Sequence, residues 1–209
     1  LFEDLIAQGA ENIDLVTPTH FLPTILPALQ PKLPVPVVYN CGGYERVETL
    51  RALEGCVDIY LPDFKYADAR LAGQLSGAAD YFSVAADAIR EMVRQTGPCV
   101  LENGLLKRGV VIRHLVLPGH ADDSCRVLDL VWQTVGDVPI SVMNQYTPNA
   151  LMREQGGDLA RAVTREEYEQ VLDHADDLGF TTMFWQEGGA VDESFTPAFD
   201  TTGVLTSAK

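Results

Sequence analysis

The stretch VDIYLPD at residues 57–63 is a short apolar run of strand character that ends abruptly in a proline and a carboxylate. Five other runs end in the same way, at residues 13–17, 35–40, 110–116, 140–145 and 182–187. Helix-like segments separate most of them. Alternating strands and helices predict parallel strands, and the carboxyl ends of parallel strands carry the chemistry of such folds. The pattern therefore predicts an α/β fold with its active site at these strand ends.

Length and composition limit the kind of protein. The 209 residues suffice for one sizeable core, and no repeat or low-complexity linker divides them, so we predict a single domain over residues 1–209 with an irregular tail from about 190. A net charge of −15 argues against a nucleic-acid partner. No apolar stretch reaches membrane-spanning length and no leader opens the chain. We therefore predict a cytoplasmic protein without a membrane or nucleic-acid partner.

The cysteines indicate no local metal site. Cys41, Cys56, Cys99 and Cys125 are irregularly spaced, and none belongs to a CxxC or CxxxC pattern. The histidines form no metal-binding pair either. Unpaired thiols in a reducing compartment are the ordinary interpretation of this pattern.

The helix and turn signals predict most of the connections. We expect helices over residues 1–10, 21–29, 46–53, 81–95, 122–135 and 165–178. Asp80 is the expected cap of the helix that starts at Tyr81, and Thr164 and Glu167 form a capping box for the last helix. Residues 98–108 are expected to be a loop containing a turn at 102–104, followed by one strand over 110–116.

A partial (β/α)6 TIM-like barrel is favoured over a doubly wound sheet. Polar residues follow nearly every strand, whereas a doubly wound sheet concentrates them at one switch point. The first helix opens on Leu1 without a capping residue, so we expect a preceding first strand to be missing. The order of the strands is not predicted.

The strongest candidate residues surround the third and fourth runs. Asp63 and Lys65 follow the third run, where they could bind an ammonium, a carboxylate or a phosphate, or form an ordinary surface ion pair. Arg113 lies inside an apolar strand and needs an anionic partner, either Asp63 or a ligand. Alternation places His114 on the opposite face, which predicts a structural histidine.

Neutral polar residues at other strand ends are weaker candidates. Asn40, Asn144 and Gln145 could hold hydroxyl or amide groups of a ligand, or close their own turns. The segment 17–20 could present backbone amides and a hydroxyl, or simply cap a helix. The segment 186–189 resembles a glycine loop, which is a weak signal.

Five blocks together resemble one family. They are ENIDLVTPTH at 11–20, YNCGGY at 39–44, DIYLPDFKY at 58–66, IRHLVLPGH at 112–120 and MNQYTP at 143–148. In this order they closely resemble the radical S-adenosylmethionine proteins identified as pyruvate formate-lyase activating enzymes. The resemblance spans nearly the whole chain.

The resemblance implies an open (β/α)6 barrel that binds a [4Fe-4S] cluster and S-adenosylmethionine. It implies one-electron reductive cleavage of the sulfonium to a 5′-deoxyadenosyl radical, with a glycyl-radical enzyme as partner and a flavodoxin- or ferredoxin-type protein as reductant. The cofactor-binding positions that it implies are Thr17, Thr19, Asn40, Asp63, Lys65, Arg113 and Asn144. No catalytic residue or metal ligand is carried over.

One family motif is absent from this sequence. The CxxxCxxC motif, whose three thiolates hold the cluster, has no counterpart among the four cysteines. We therefore expect no cluster in this chain and an inactive protein as given. Two alternatives remain: an aldolase-like barrel lyase that uses Lys65 as a Schiff base, and a binding module without a cofactor.

Overall fold

The computed structural model describes residues 1–186. The predicted tail at 190–209 and all of the glycine loop except Gln186 lie outside the described residues.

Eight strands and eight α-helices make up this part of the chain, with short 3-10 helices at Thr19–Phe21 and Asp158–Ala160. The strands are β1 (Ile13–Val16), β2 (Val37–Cys41), β3 (Ile59–Pro62), β4 (Val100–Glu102), β5 (Leu105–Val110), β6 (Ile112–Leu115), β7 (Ile140–Met143) and β8 (Met183–Phe184). The helices are α1 (Phe2–Ala7), α2 (Leu22–Ala28), α3 (Val47–Ala52), α4 (Ala69–Ser76), α5 (Tyr81–Thr96), α6 (Ala121–Val135), α7 (Ala150–Gln155) and α8 (Arg165–Leu178).

The strands form two sheets that meet at β3. One has the order β1-β2-β3-β5-β4 and the other the order β6-β7-β8, and every pairing except β4 with β5 is parallel. Tyr60 pairs with Val110 of β5, and Asp63 forms a parallel bridge with Arg113 of β6. Within residues 1–186 no pairing joins β1 to β8. The architecture is therefore α/β with mostly parallel strands in sequence order, as expected for a partial barrel, and closure is not observed.

Alternate strand residues pack against the amphipathic helices and form the core. Tyr39, Tyr60, Ile112 and Ile140 are all fully buried on this side. Along α5 the buried residues recur at helical spacing, at positions 81, 85, 88, 89 and 92. Each large apolar side chain buried in this way stabilises the fold by roughly 1.5–3 kcal/mol. The core therefore leaves the other face of the strands available for a site.

The prediction of a loop over residues 98–108 is wrong. These residues form most of an antiparallel hairpin of β4 and β5. Asn103 and Gly104, with φ values of 54° and 80°, supply the two-residue turn that matches the twist of such strands. The expected single strand over 110–116 is likewise divided, because β5 ends at Val110 and β6 begins at Ile112.

Asp80 is the N-cap residue of α5, as predicted, but its expected capping hydrogen bond is absent. Its side chain makes no capping hydrogen bond and instead accepts one of 2.7 Å from the Tyr44 hydroxyl. Asp68 does cap a helix that was not predicted, α4, by accepting a hydrogen bond of 2.8 Å from the Leu71 amide. The second unpredicted helix is α7. The capping box at the start of α8 is confirmed.

None of the helices in residues 1–186 combines the length and the apolar character needed to cross a bilayer.

Candidate functional site

Strand register brings the predicted polar residues to one face of the sheets. Asn40 pairs with Leu61, Asp63 with Arg113, and Arg113 with Ser141. Residues paired across parallel strands point to the same side, and residues two apart on a strand do so as well. Asn40, Asp63 and Arg113 therefore share the face opposite the core.

Asp63 is the centre of a charge cluster. Arg113 Nη2 donates a hydrogen bond of 2.7 Å to Asp63 Oδ1, and Lys65 Nζ lies 3.6 Å from Asp63 Oδ2. The Asp63 and Arg113 side chains are 21% and 28% exposed, and that of Lys65 is 41% exposed. The anionic partner of Arg113 in this structure is thus Asp63. Asp63 therefore interacts with two cations, Arg113 and Lys65, in a chain of net charge −15.

A cavity of about 500 Å³ opens beside this cluster. It lies beyond the carboxyl ends of β3, β6 and β7, where parallel-strand folds place their sites. Most of its wall is apolar or aromatic, and the three ion-paired residues are part of its lining. Its lining residues are Asp63, Lys65, Tyr66, Leu75, Arg113, Leu115, Leu117, Met143, Gln145, Tyr146, Asn149, Met152 and Leu159. Such a cavity can hold a ligand that has an apolar body and an anionic end.

Asp14 belongs to the same face and was missed in the sequence. Partial desolvation raises the pKa of Asp14 above its ordinary value, against the opposing effects of the neighbouring Asn40 and Arg113 side chains. The alternation of residues 13–16 could have placed Asp14 there. Met152 and Leu159 were also missed, since they come from segments with no predicted structure.

Thr17 and Thr19 do not line the cavity. Thr17 has a φ of 50°, and its amide donates a hydrogen bond of 2.8 Å to the Asn40 carbonyl. The Thr19 hydroxyl lies 2.9 Å from both the Tyr39 hydroxyl and a carboxylate oxygen of Glu45. Burial raises the pKa of Glu45 above its ordinary value. Thr19 therefore belongs to a polar network with Tyr39 and Glu45. Its role in cofactor binding stays a prediction.

Asn144 is close to the cavity wall without being part of it. The backbone amide of Asn144 donates a hydrogen bond of 3.2 Å to the side-chain oxygen of Gln186. Its Oδ1 atom is buried and has no hydrogen-bond partner among residues 1–186, and the same is true of Arg113 Nε. Buried polar atoms without partners are rare in native proteins and often mark functional sites.

The prediction that His114 points into the core is confirmed, but its ring is only half satisfied, because Nε2 is buried and has no hydrogen-bond partner among residues 1–186. His114 is buried in the core, and its Nδ1 donates a hydrogen bond of 2.7 Å to the Phe64 carbonyl. Burial lowers the pKa of His114, which favours the neutral ring.

The four cysteines form no disulfide bond with one another. Burial raises the pKa of Cys41 to about 12, so its thiol is unreactive at neutral pH. The described part of the chain contains no group of three or more His, Cys, Asp or Glu side chains arranged to hold a metal ion. These residues therefore do not fit a [4Fe-4S] cluster.

The chain has a relative of similar sequence. No family model matches the chain. Uncharacterized protein MJ0674 of Methanocaldococcus jannaschii is 32% identical over 181 residues, which cover 84% of this chain and 49% of the relative, so the chain spans about half the length of the curated relative it matches.

A solved structure shares the architecture. The crystal structure of a domain of pyruvate-formate lyase-activating enzyme from Bacteroides vulgatus matches with a TM-score of 0.60 at 12% identity, over 84% of this chain and 98% of that one. At this identity the likeness concerns the fold. The described chain therefore has the fold of an activating-enzyme domain.

Proposed function

We propose that this chain is the S-adenosylmethionine-binding part of a radical S-adenosylmethionine activating enzyme. The observation that carries the proposal is the cluster of Asp63, Lys65 and Arg113 in the wall of the cavity. Its place beyond the ends of parallel strands, in a fold shared with an activating-enzyme domain, supports the same assignment.

The charges of the cluster suit the methionine end of this cofactor. Lys65 and Arg113 supply donors for a carboxylate, and Asp63 supplies acceptors for an ammonium. The Arg113 side chain is 28% exposed and lines the cavity, so part of the guanidinium is accessible to an anionic ligand. The apolar wall, including Leu115 and Met143, suits the adenosine end.

When bound, S-adenosylmethionine supplies a sulfonium that a one-electron reductant can cleave. This chain's residues bind and orient it, and the cavity wall excludes water from it. A [4Fe-4S] cluster is not matched by the described side chains, so no step is assigned to one. A glycyl-radical enzyme as partner and a flavodoxin- or ferredoxin-type reductant belong to the same proposal through the family resemblance.

Calorimetric titration with S-adenosylmethionine tests the proposal. The Lys65→Ala variant should bind at least about tenfold more weakly, because a charge-assisted contact contributes roughly 1.5–3 kcal/mol. Lys32→Ala is the matched control, since Lys32 is 61% exposed, pairs with Asp58 at 2.6 Å and lies outside the cavity. Equal affinities of the two variants, or no binding by the unaltered chain, would contradict the proposal.

A further inference from the structure

The site depends on the backbone of three consecutive residues, Asp63, Phe64 and Lys65, which we call the site tripeptide. The Asp63 amide donates to the Cys41 carbonyl at 2.9 Å, and the Phe64 amide donates to the Arg113 carbonyl at 2.8 Å. These two bonds continue the pairing of neighbouring strands. They fix the amides of Asp63 and Phe64. The Lys65 amide and the carbonyls of the tripeptide need other hydrogen-bond partners.

Side chains from outside the strand ends satisfy those groups. The Lys65 amide donates a hydrogen bond of 3.1 Å to the Tyr81 hydroxyl, which in turn lies 2.9 Å from the Asp63 carbonyl and 2.8 Å from the Gly42 carbonyl. A hydroxyl has one proton to donate and can also accept, so Tyr81 accepts from Lys65 and donates to one of the two carbonyls. It thereby ties the loops that follow β2 and β3 together.

His114 holds the middle of the tripeptide. Its Nδ1 donates a hydrogen bond of 2.7 Å to the Phe64 carbonyl from within the core. Every backbone amide of the tripeptide therefore has a partner, and so does the Phe64 carbonyl. The Asp63 carbonyl lies within hydrogen-bonding distance of the Tyr81 hydroxyl, whose single proton it shares with the Gly42 carbonyl. Tyr81 and His114 are the two partners that act through a side chain.

The Tyr81 ring also supports the cavity wall. It is 3% exposed and stands edge-on to the Tyr66 ring at 5.4 Å between centroids, and Tyr66 lines the cavity. The Tyr81 hydroxyl is also closely packed against the loop that follows β2, because a Cβ atom at Gly43 would lie 3.1 Å from the Tyr81 oxygen. A small displacement of Tyr81 would therefore move both loops of the site.

We propose that Tyr81 and His114 are positioning residues that clamp the site tripeptide and so aim Asp63 and Lys65 at the ligand. The proposal rests on the proposed function for the identity of that ligand. Neither residue lines the cavity, and each acts through the backbone of the tripeptide. The affinity of the site for an anionic ligand therefore depends on α5, a helix of the outer layer.

The variant Tyr81→Phe tests the clamp, with Tyr60→Phe as the matched control. Tyr60 is also fully buried, and its hydroxyl donates a hydrogen bond of 2.7 Å to Gln95, away from the cavity. Both variants lose one buried hydroxyl. Affinity for S-adenosylmethionine should fall about tenfold in Tyr81→Phe and less than about twofold in Tyr60→Phe.

Amide hydrogen exchange gives a readout that needs no ligand. Exchange of the Lys65 amide should accelerate roughly tenfold or more in Tyr81→Phe and match the unaltered chain in Tyr60→Phe. For His114, the Asn variant retains a donor near the position of Nδ1 and should preserve affinity better than the Leu variant, which has none.

The outcomes separate the two proposals. If the unaltered chain fails to bind S-adenosylmethionine, the proposed function fails, and Lys65 exchange alone decides whether the clamp exists. If the chain binds but Tyr81→Phe and Tyr60→Phe have equal affinities, the positioning role is overturned. Equal Lys65 exchange rates in these two variants would overturn the clamp itself.

Discussion

Replacing Gly43 by alanine should damage the fold and the site far more than the same change at Gly55. Both glycines have nearly the same backbone conformation, with φ values of 79° and 80°. A residue with a Cβ atom at such angles loses about 1–2 kcal/mol, so this contribution is common to the two variants. The comparison therefore isolates the surroundings of each glycine.

Those surroundings differ sharply. A Cβ atom at Gly55 meets nothing within 4 Å, whereas at Gly43 it would lie 1.9 Å from the Asp63 carbonyl oxygen. Contacts under 3.0 Å essentially never occur for real Cβ atoms, so one of the two loops must move by ~1 Å. Overpacking of this kind destabilises by about 1–3 kcal/mol. We expect a total loss of about 2–5 kcal/mol for Gly43→Ala and about 1–2 kcal/mol for Gly55→Ala.

Urea unfolding followed by circular dichroism measures both losses. The displaced atom belongs to Asp63, so Gly43→Ala should also weaken binding of S-adenosylmethionine, while Gly55→Ala should leave it unchanged. If the two variants unfold at the same urea concentration with the same slope, the close approach of the two loops is refuted.

Three further predictions concern acid stability, the Schiff-base alternative and helix capping. The Arg161 guanidinium lowers the pKa of Glu167 to about 2, so the stabilisation from this ion pair is complete above about pH 4.5 and is lost as the pH falls through 2. Urea unfolding of Glu167→Gln at several pH values should show about 1–2 kcal/mol less pH dependence, a figure reduced for the 39% exposure of Arg161. An unchanged acid profile would contradict this prediction. Borohydride in the presence of small carbonyl compounds should not trap an adduct on Lys65, because its ammonium lies 3.6 Å from Asp63, and a mass increase on Lys65 would favour the lyase. Asp68→Ala should destabilise the chain by about 1 kcal/mol in thermal unfolding and Asp80→Ala by less, since only the first side chain caps its helix.

The sequence predicts the strand ends better than the connections between them. The six apolar runs correspond to described strands, because burial of alternate residues leaves a local pattern. The hairpin of β4 and β5 escaped prediction although Asn103-Gly104 is a strong turn signal, since Lys107 and Arg108 interrupt the apolar pattern around it. Helix α7 has six residues and none of them is buried, so it leaves no clear helical period. Helix α4 was missed although Asp68 caps it and Leu71 and Ala72 are buried on one face.

The supporting residues of the site escaped prediction for a different reason. Charge near the end of an apolar strand is visible in the sequence, and this signal identifies Asp63, Lys65 and Arg113. Tyr81 is one more aromatic residue on an amphipathic helix, 16 residues beyond Lys65, and nothing in its spacing indicates that its hydroxyl faces two strand-end loops. Contacts of this kind depend on how the helix packs on the sheet, which a single sequence does not encode locally.

The position of Arg113 follows from an alternation that survives the division between β5 and β6. Val110, Ile112, His114 and Val116 are all buried in the core, so the side-chain period of two continues unbroken through Val111. A shift of one residue would send the Arg113 guanidinium into the core and leave His114 at the cavity. Burying an unpaired guanidinium is far less favourable than burying a neutral imidazole that donates to the Phe64 carbonyl. The pair Arg113-His114 thus fixes the register of β6, and the same register places the cation beside Asp63.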